Sequence, residues 1–220
     1  MICSASSYIF ASEILEQTYN IGKKPYVIAY GSYKVPPLFS GKQKDGRIHI
    51  VYAGLIKKGK VAFKSAQIAY YLSSQYHIHI IGYGEQKDIE ELKKEINVIR
   101  LQTECIVSYE GLKRDEDYLA FLQGCHYGIC PLTSDNTFQL ACFPSKISSY
   151  LSNGLEVITT ENSVLRNSRY NDFLHFVKDD SPFAFAEVIK NINSNGLDCS
   201  PRDLLIQMDK DFCSMMKEIL

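Results

Sequence analysis

The sequence predicts an α/β protein in which a Rossmann-like parallel sheet carries helices on both faces. Three observations lead to this prediction. From residue 47 onward, short apolar runs rich in β-branched residues alternate with segments of helical periodicity. Several of these runs end at glycine or proline, as strands often do. Strands that alternate with helices of this length form parallel sheets covered on both faces.

The composition is that of a globular protein with a sizeable core, since 45% of the 220 residues are hydrophobic and 22% are charged. The 24 Lys and Arg residues nearly balance the 25 Asp and Glu residues, which leaves a net charge of −1. That balance argues against nucleic acid as a partner and against a strong membrane anchor. With no secretory leader and no apolar run of bilayer length in the sequence, we expect the protein in the cytoplasm.

Cysteine and histidine usage gives little support for a metal or a disulfide framework. The seven cysteines include no CxxC pair, and most lie in apolar runs, which is typical of reduced core residues. No histidine stands at zinc-finger spacing from a cysteine. His77 and His79 share one face of a predicted strand, where polar positions on a half-buried strand are favoured over a metal site. We therefore predict no metal site and no cofactor.

Residues 1–46 differ in pattern from the rest of the chain. The predicted elements are a strand at 2–4, a helix capped by Ser6 or Ser7 that continues to Tyr19, and a strand at 25–30. Residues 31–46 contain Gly, Ser, Lys and a Pro-Pro pair without hydrophobic periodicity, which is typical of a linker.

The alternating pattern follows from residue 47 to the end of the chain. The predicted strands are residues 47–53, 76–81, 105–109, 126–131, 156–160 and 173–177. The predicted helices are residues 61–74, 86–99 and 115–123, a helix that begins at Pro144, and residues 182–192 and 201–219.

The most informative stretch is residues 142–154, with the sequence CFPSKISSYLSNG. Pro144 suits the first position of a helix, and Gly154 suits the left-handed residue that closes one. The first turn of this helix offers unpaired backbone N–H groups and the positive end of the helix dipole, to which Ser145 adds a hydroxyl and Lys146 a cation. These features favour a bound phosphate. An ordinary helix start with a lysine in its first turn is an equally supported alternative.

Glycines mark three of the predicted strand ends, at Gly54, at Gly82 with Gly84, and at Gly111. In a parallel sheet, ligands bind beyond the carboxyl ends of the strands where the strand order reverses. Glycine at such an end lets the backbone approach a ligand, although a tight strand-to-helix turn explains each glycine singly. Their occurrence at one edge of the sheet favours a ligand site there.

Lysines follow the first of these strand ends, at Lys57, Lys58 and Lys60. Together with Lys146 they could neutralise a diphosphate, whereas each lysine singly is equally well explained as a solvated surface residue. The sequence contains neither GxxxxGK[ST] nor GxGxxG with a downstream acid. A P-loop nucleotidase is therefore not supported.

Four segments carry a resemblance that covers most of the chain. They are residues 51–55 with 58–59, residues 80–85, residues 107–111, and residues 143–151 with Gly154 and 157–159. In this order they resemble the carboxy-terminal, nucleotide-sugar-binding half of a GT-B-fold glycosyltransferase. The FPSK form of the last segment is similar to that of retaining family-four enzymes of bacterial surface-polysaccharide synthesis.

The resemblance implies a hexosyltransferase that moves a sugar from a nucleoside-diphosphate sugar to a glycan or lipid-linked acceptor, as in lipopolysaccharide O-antigen synthesis. Lys58 and Lys146 would be catalytic, because they stabilise the departing diphosphate. The lysines and the helix dipole supply the positive charge, so no metal is required. The implied donor-binding residues are Gly54, Leu55, Lys57, Gly82, Tyr83, Tyr109, Gly111, Leu112, Phe143, Pro144, Ser145 and Ser149.

The resemblance also implies a domain organisation. Residues 1–46 would be the remnant of an acceptor-binding amino-terminal domain with the interdomain linker, residues 47–200 the nucleotide-sugar-binding domain, and residues 201–220 a helix that crosses back. Nearly all of the first domain would then be absent, so we expect this chain to be inactive or nearly so on its own. The full enzyme would act in the cytoplasm, with peripheral association at the inner face of the cytoplasmic membrane.

One departure from the family pattern supports an alternative function. The family-four signature carries two glutamates eight residues apart, and their positions here are Ala141 and Ser149; Glu156 stands where proline is usual. A serine can hydrogen-bond a ribose hydroxyl but lacks the charge and reach of a carboxylate. The alternative is a non-catalytic nucleotide-binding or interaction module derived from such a domain. An epimerase of the same fold is a weaker third hypothesis.

Overall fold

The computed structural model describes residues 5–19, 21–132, 143–192 and 199–219. The strands are β1 Tyr8–Phe10, β2 Tyr26–Ile28, β3 Ile48–Ile56, β4 Tyr76–Gly84, β5 Ile106–Tyr109, β6 Tyr127–Cys130, β7 Glu156–Thr160 and β8 Leu174–Val177. The helices are α1 Glu13–Thr18, α2 Val61–Gln67, α3 Gln86–Gln102, α4 Asp115–Gly124, α5 Ser145–Ser152, α6 Ser163–Asn167, α7 Pro182–Asn191 and α8 Pro201–Ile219. Short 3₁₀ helices cover Ile68–Tyr71 and Asn171–Phe173.

The main sheet has six parallel strands in the order β5-β4-β3-β6-β7-β8. The chain builds outward from β3 in one direction and then returns to start again at β6, so the strand order reverses between these two central strands. β3 is in register with all of β4, but with β6 only through Ile50–Tyr127 and Val51–Gly128. A crevice between β3 and β6 therefore opens towards their carboxyl ends.

Helices cover both faces of this sheet, which confirms the predicted α/β fold class. Alternating side chains of β3 show the two cores: Ile50 packs in a cluster with residues of α2, α3 and α7, and Val51 packs with residues of α5 and α8. The near-continuous apolar character of β3 follows from this burial on both sides. None of the described helices is both long enough and apolar enough to cross a membrane.

The amino-terminal segment differs from the prediction. The helix expected to start at Ser6 or Ser7 is wrong, because Tyr8–Phe10 forms a strand that pairs in parallel with β2. The helix begins only at Glu13, where the Ser12 hydroxyl accepts a hydrogen bond from Leu15 N–H at 3.4 Å. Aromatic residues at this position favour a strand over a helix. The strand predicted at 2–4 lies outside the described residues.

Several element boundaries also differ. β3 continues past Gly54, where its end was predicted, to Ile56. β4 includes Gly82 and ends at Gly84, so its end lies within the predicted Gly82–Gly84 segment. The helix expected over residues 61–74 is shorter, since α2 ends at Gln67 and the Ile68–Tyr71 turn is 3₁₀. The predicted bounds of β7 and α8 are confirmed.

The segment predicted as a linker, residues 31–46, contains no helix or strand. It is nevertheless bonded to the domain. The Gln123 side chain accepts from the N–H groups of Phe39 at 2.7 Å and Ser40 at 3.1 Å and donates to the Pro37 carbonyl at 2.8 Å. Arg202 at the start of α8 donates to the Pro36 carbonyl at 2.6 Å. The segment therefore lies against the domain beside α5.

Candidate functional site

Tyr150 of α5 occupies the crevice where the strand order reverses. Its hydroxyl oxygen accepts from Ala53 N–H at 2.9 Å and donates to the Ile129 carbonyl at 3.4 Å, so it links β3 to β6 where their direct pairing has stopped. The ring packs against Gly128, where an added Cβ would lie 2.4 Å from Tyr150 Cδ2. The Tyr150–Gly128 pair therefore sets the separation of the two central strands.

Lys146, one turn earlier on α5, lies at the carboxyl end of β3. A Cβ added to Gly54 would lie 2.5 Å from Lys146 Nζ and 2.8 Å from the Tyr52 hydroxyl oxygen. Any larger residue at this position would therefore have to displace these two side chains. Nζ also lies 4.7 Å from the centroid of the Tyr52 ring. Burial lowers the pKa of Lys146, and no carboxylate of the described residues pairs with it. Lys146 is thus a partly buried cation at the point of strand reversal, and it has no counter-ion among the described residues.

The start of α5 lies beside this cation. Pro144, predicted at the first helical position, instead precedes the helix as its N-cap, with extended backbone at φ −69° and ψ 119°. The first two N–H groups of an α-helix have no partner within the helix, and here they belong to Ser145 and Lys146. The exposed Ser145 hydroxyl lies at the same end, and Gly154 closes the helix with φ +80° as predicted. The arrangement matches an anion site at a helix N-terminus.

A cavity of about 470 Å³ runs along α5 from this end. The lining residues are Tyr30, Gly31, Ser32, Lys34, Pro36, Leu119, Phe143, Ser145, Ser148, Ser149, Ser152 and Asn153. Ser149 Oγ lies 3.5 Å from the Tyr118 hydroxyl oxygen. The Phe143 ring packs against those of Tyr30 and Tyr170, with centroid distances of 5.3 and 4.9 Å. The cavity thus combines serine hydroxyls with an aromatic end. Ala141 and Cys142, which precede it in sequence, lie outside the described residues.

Lys58 is placed differently from Lys146. Its ammonium group pairs with Glu91 Oε2 of α3 at 3.1 Å, and its backbone N–H donates to Asp88 Oδ1 at 3.2 Å. Lys94 shares the same carboxylate at 3.2 Å, and these two lysines lower the pKa of Glu91. Lys57, in the same turn, accepts from Lys60 N–H through its carbonyl. The structure therefore ties the β3–α2 lysine loop to α3.

The glycines at the ends of β3 and β4 face each other within the sheet. A Cβ on Gly82, which has φ +144°, would lie 1.8 Å from the Gly54 carbonyl oxygen, and one on Gly84 would lie 2.2 Å from the Ile56 carbonyl oxygen. The close approach of neighbouring strands therefore explains Gly82 and Gly84. Leu55 and Tyr83 are paired in register at this edge, and their side chains are 51% and 61% exposed.

The loop after β5 joins the same edge. Gly111 has φ +75°, and its carbonyl accepts from Gly82 N–H at 3.0 Å. The Tyr109 hydroxyl donates to the Gly82 carbonyl at 3.1 Å, so this tyrosine is tied to the end of β4. Leu112 is 48% exposed and lines a second cavity with residues of α4.

Sequence reasoning missed the residues that complete this site from elsewhere in the chain. Tyr150 and Gly128 were not singled out, although Tyr150 stands four residues after Lys146 and so on the same face of α5. Tyr30 and Lys34 also line the cavity. The segment that follows them is bonded by Gln123, more than 80 residues away in sequence, and a contact of that separation leaves no local pattern.

No protein-family model and no curated protein matches the chain. Solved structures do. AviGT4, a glycosyltransferase involved in avilamycin A biosynthesis, shares 12% identity over 98% of this chain and 66% of its own, with a TM-score of 0.59. A glycosyltransferase from Rickettsia africae shares 14% sequence identity over 96% of this chain and 62% of its own, with a TM-score of 0.60. Anabaena HepE, in complex with UDP and glucose, shares 11% sequence identity over 97% of this chain and 63% of its own, with a TM-score of 0.56.

These similarities establish the fold: the chain has the Rossmann-like architecture found in GT-B glycosyltransferases. It spans 62–66% of the length of these three structures.

Proposed function

We propose that this chain is the donor-binding half of a glycosyltransferase and binds a nucleoside-diphosphate sugar at the crevice between β3 and β6. The observation that supports the proposal is Lys146, a partly buried cation beside the first turn of α5 that no carboxylate in the described part of the chain neutralises. A diphosphate supplies the missing negative charge and suits both a helix N-terminus and a point of strand reversal. The structural neighbours are named as glycosyltransferases, and one contains UDP and glucose.

The diphosphate would accept hydrogen bonds from the N–H groups of Ser145 and Lys146 and from the Ser145 hydroxyl. The backbone at Gly54 borders the same space, because Lys146 Nζ lies directly against it. When the bond from the sugar to the diphosphate breaks, negative charge accumulates on the leaving group. A positioned cation lowers the barrier to that step, typically by about 2–4 kcal/mol. Lys146 is catalytic in this sense, and Lys58 adds a second charge once it leaves Glu91.

The nucleoside would extend from the diphosphate along α5. The cavity there has a volume of about 470 Å³, which lies within the range of small-molecule sites. Ser149 would bond a ribose hydroxyl, and the loop from Tyr109 to Leu112 would lie beside the base. The other donor-binding residues of the proposal border this space or the neighbouring strand ends, and they are Leu55, Lys57, Gly82, Tyr83, Gly111, Phe143 and Pro144.

The wider context is part of the same proposal. Residues 1–46 belong to an acceptor-binding domain and its linker, residues 47–200 to the donor domain, and residues 201–220 to the crossing helix. A glycan or lipid-linked acceptor of surface-polysaccharide synthesis would bind to the preceding domain, at the inner face of the cytoplasmic membrane, without a catalytic metal. The span of 62–66% of the neighbours' length supports the idea that an acceptor domain is needed for transfer.

One observation favours the alternative of a non-catalytic nucleotide-binding module. Ser149 faces the Tyr118 hydroxyl at the position where family-four enzymes carry a glutamate, so this site offers the ribose no charged acceptor. The reading frame upstream of the codon for Met1 separates the two hypotheses. An encoded acceptor-binding domain supports the transferase, and its absence supports the module.

Calorimetric titration of the chain with UDP and with GDP tests the donor site. Lys146→Met removes the ammonium charge but keeps the aliphatic stem, and we expect it to weaken binding of the preferred nucleotide by about tenfold to a hundredfold. Lys190→Met is the matched control, because Lys190 pairs with Glu187 on the surface of α7. Equal binding by the Lys146→Met variant and the parent chain, or no binding by the parent, would overturn the proposal.

A further inference from the structure

Histidines gather on one face of the sheet, at the amino-terminal half of β3 and β4. His49 is paired in register with His77, and His79 follows two residues later on the same face. The candidate ligand atoms of these three histidines lie within 4.8 Å of one another. His49 and His79 are 2% and 4% exposed, and His77 is half-buried. Five residues of extended chain, about 17 Å, separate His49 from Gly54, so this cluster is distinct from the crevice.

A carboxylate at each end of the histidine cluster determines which ring nitrogens carry protons. Asp45 Oδ1 lies 2.8 Å from His49 Nε2, and Glu110 Oε1 lies 3.0 Å from His79 Nδ1. An ionised carboxylate only accepts hydrogen bonds, so these two nitrogens are the protonated ones. In neutral imidazoles the lone pairs then lie on His49 Nδ1 and His79 Nε2, which face each other at 2.8 Å. At 2.8 Å the two nitrogens can share a proton, in which case one ring is an imidazolium, or they can move apart slightly and share a metal ion.

His77 provides a third lone pair. Ser108 Oγ donates to Glu110 Oε1 at 2.5 Å and accepts from His77 Nε2–H at 2.8 Å. His77 Nδ1 is then the unprotonated nitrogen, and the His77 ring centroid lies 3.7 Å from that of His79.

We propose that His49, His77 and His79 bind a divalent late first-row transition-metal ion, with Zn²⁺ the best match. Three imidazole ligands with an open fourth position are a common zinc geometry. Zn–N bonds of about 2.0–2.1 Å in a tetrahedron place the nitrogens about 3.3 Å apart, so the 2.8 Å pair must open by about 0.5 Å.

The groups around the three ligands suit a metal ion. Each of two ligating histidines donates its other ring N–H to a carboxylate, Asp45 or Glu110, which is the usual second shell of a zinc-bound histidine. The two carboxylates also balance the charge of a divalent ion. His126 stays outside the ligand set, because its Nδ1 already accepts from His49 N–H at 3.0 Å. The ion would join β3 to β4 and, through Glu110, to the end of β5.

The test is calorimetric titration of the untagged chain with ZnCl₂, together with the visible absorption of the Co²⁺-loaded chain. We expect one equivalent of Zn²⁺ to bind, with a Kd in the micromolar range or tighter, and Co²⁺ to give the d–d bands of four coordination. His77→Gln and His79→Gln should each weaken binding at least about tenfold, and Glu110→Gln, which changes only the second shell, about tenfold. His175→Gln is the matched control, since His175 pairs with Glu156 at 2.6 Å elsewhere on the sheet and should leave binding unchanged.

Two outcomes would overturn the proposal. One is the absence of saturable Zn²⁺ binding to the parent chain at millimolar concentration. The other is binding that survives in His77→Gln and falls in His175→Gln, which would place the ion elsewhere. If the buried variant His79→Gln fails to fold, the half-buried His77→Gln and the Co²⁺ spectrum of the parent chain decide. Nucleotide titration is independent of all these measurements.

Discussion

Replacing Tyr150 by phenylalanine removes a single oxygen atom from the crevice between β3 and β6. That oxygen accepts from Ala53 N–H at 2.9 Å and donates to the Ile129 carbonyl at 3.4 Å, and the Tyr150 side chain is fully buried. The phenylalanine ring keeps the packing against Gly128. The substitution therefore isolates the hydrogen bonds from the rest of the side chain.

The cost follows from the group that loses its partner. The 3.4 Å bond to Ile129 is long and contributes little. Ala53 N–H, in contrast, is left unpaired in the interior, which costs about 1–3 kcal/mol. We therefore expect the free energy of unfolding to fall by about 1–3 kcal/mol and Tm to fall by about 2–4 °C for each kcal/mol lost.

Urea unfolding of the parent chain and the variant, followed by circular dichroism, measures this change. Tyr76→Phe is the matched control, because Tyr76 is also buried and its hydroxyl bonds none of the described residues, so we expect less than about 0.5 kcal/mol there. A Tyr150→Phe loss below 0.5 kcal/mol, or one equal to that of the control, would refute the role of this hydroxyl in the crevice.

Three further predictions concern the same region. Gly54→Ala places a Cβ 2.5 Å from Lys146 Nζ and should displace the lysine, so UDP or GDP affinity falls about tenfold in calorimetry while the circular dichroism spectrum is unchanged. Binding needs the protonated ammonium, and burial holds the Lys146 pKa below its ordinary 10.5. Affinity should therefore decline as pH rises through that lowered pKa, whereas Lys146→Met shows no such decline. Gln123→Ala removes the bonds to residues 37, 39 and 40 and should speed tryptic cleavage at 31–46, with an unchanged cleavage rate counting against the docked segment.

The periodicity of the sequence predicted the fold class because each strand and helix is encoded by neighbouring residues. β7 and α8 show this, since both were bounded by local signals such as Gly154 and Pro201. The aromatic strand at Tyr8–Phe10 was missed because it depends on pairing with β2, which local propensity does not reveal.

Local signals also predicted one element of the candidate site, the start of α5. Pro144, Ser145 and Lys146 mark a helix start by their order alone, and the structure sets Lys146 at the crevice. The contact between Tyr150 and Ala53 joins residues 97 positions apart, so no window of sequence contains it.

The histidine cluster illustrates the same limit. The shared face of His77 and His79 was predicted from strand alternation, and the favoured interpretation was a pair of polar positions. His49 joins them only through the register of β3 with β4. The three histidines form a candidate metal site because of that register and because the carboxylates of Asp45 and Glu110 contact His49 and His79.

A backbone-amide NMR titration with UDP and GDP tests the central claim most directly, because it reports where a nucleotide binds as well as whether it does. A diphosphate at the crevice predicts the largest shifts at the amides of Ser145, Lys146 and Gly54, with smaller shifts along α5. Shifts confined to other surfaces, such as the cavity between Tyr26 and Met215, or no shifts at millimolar nucleotide, would contradict it.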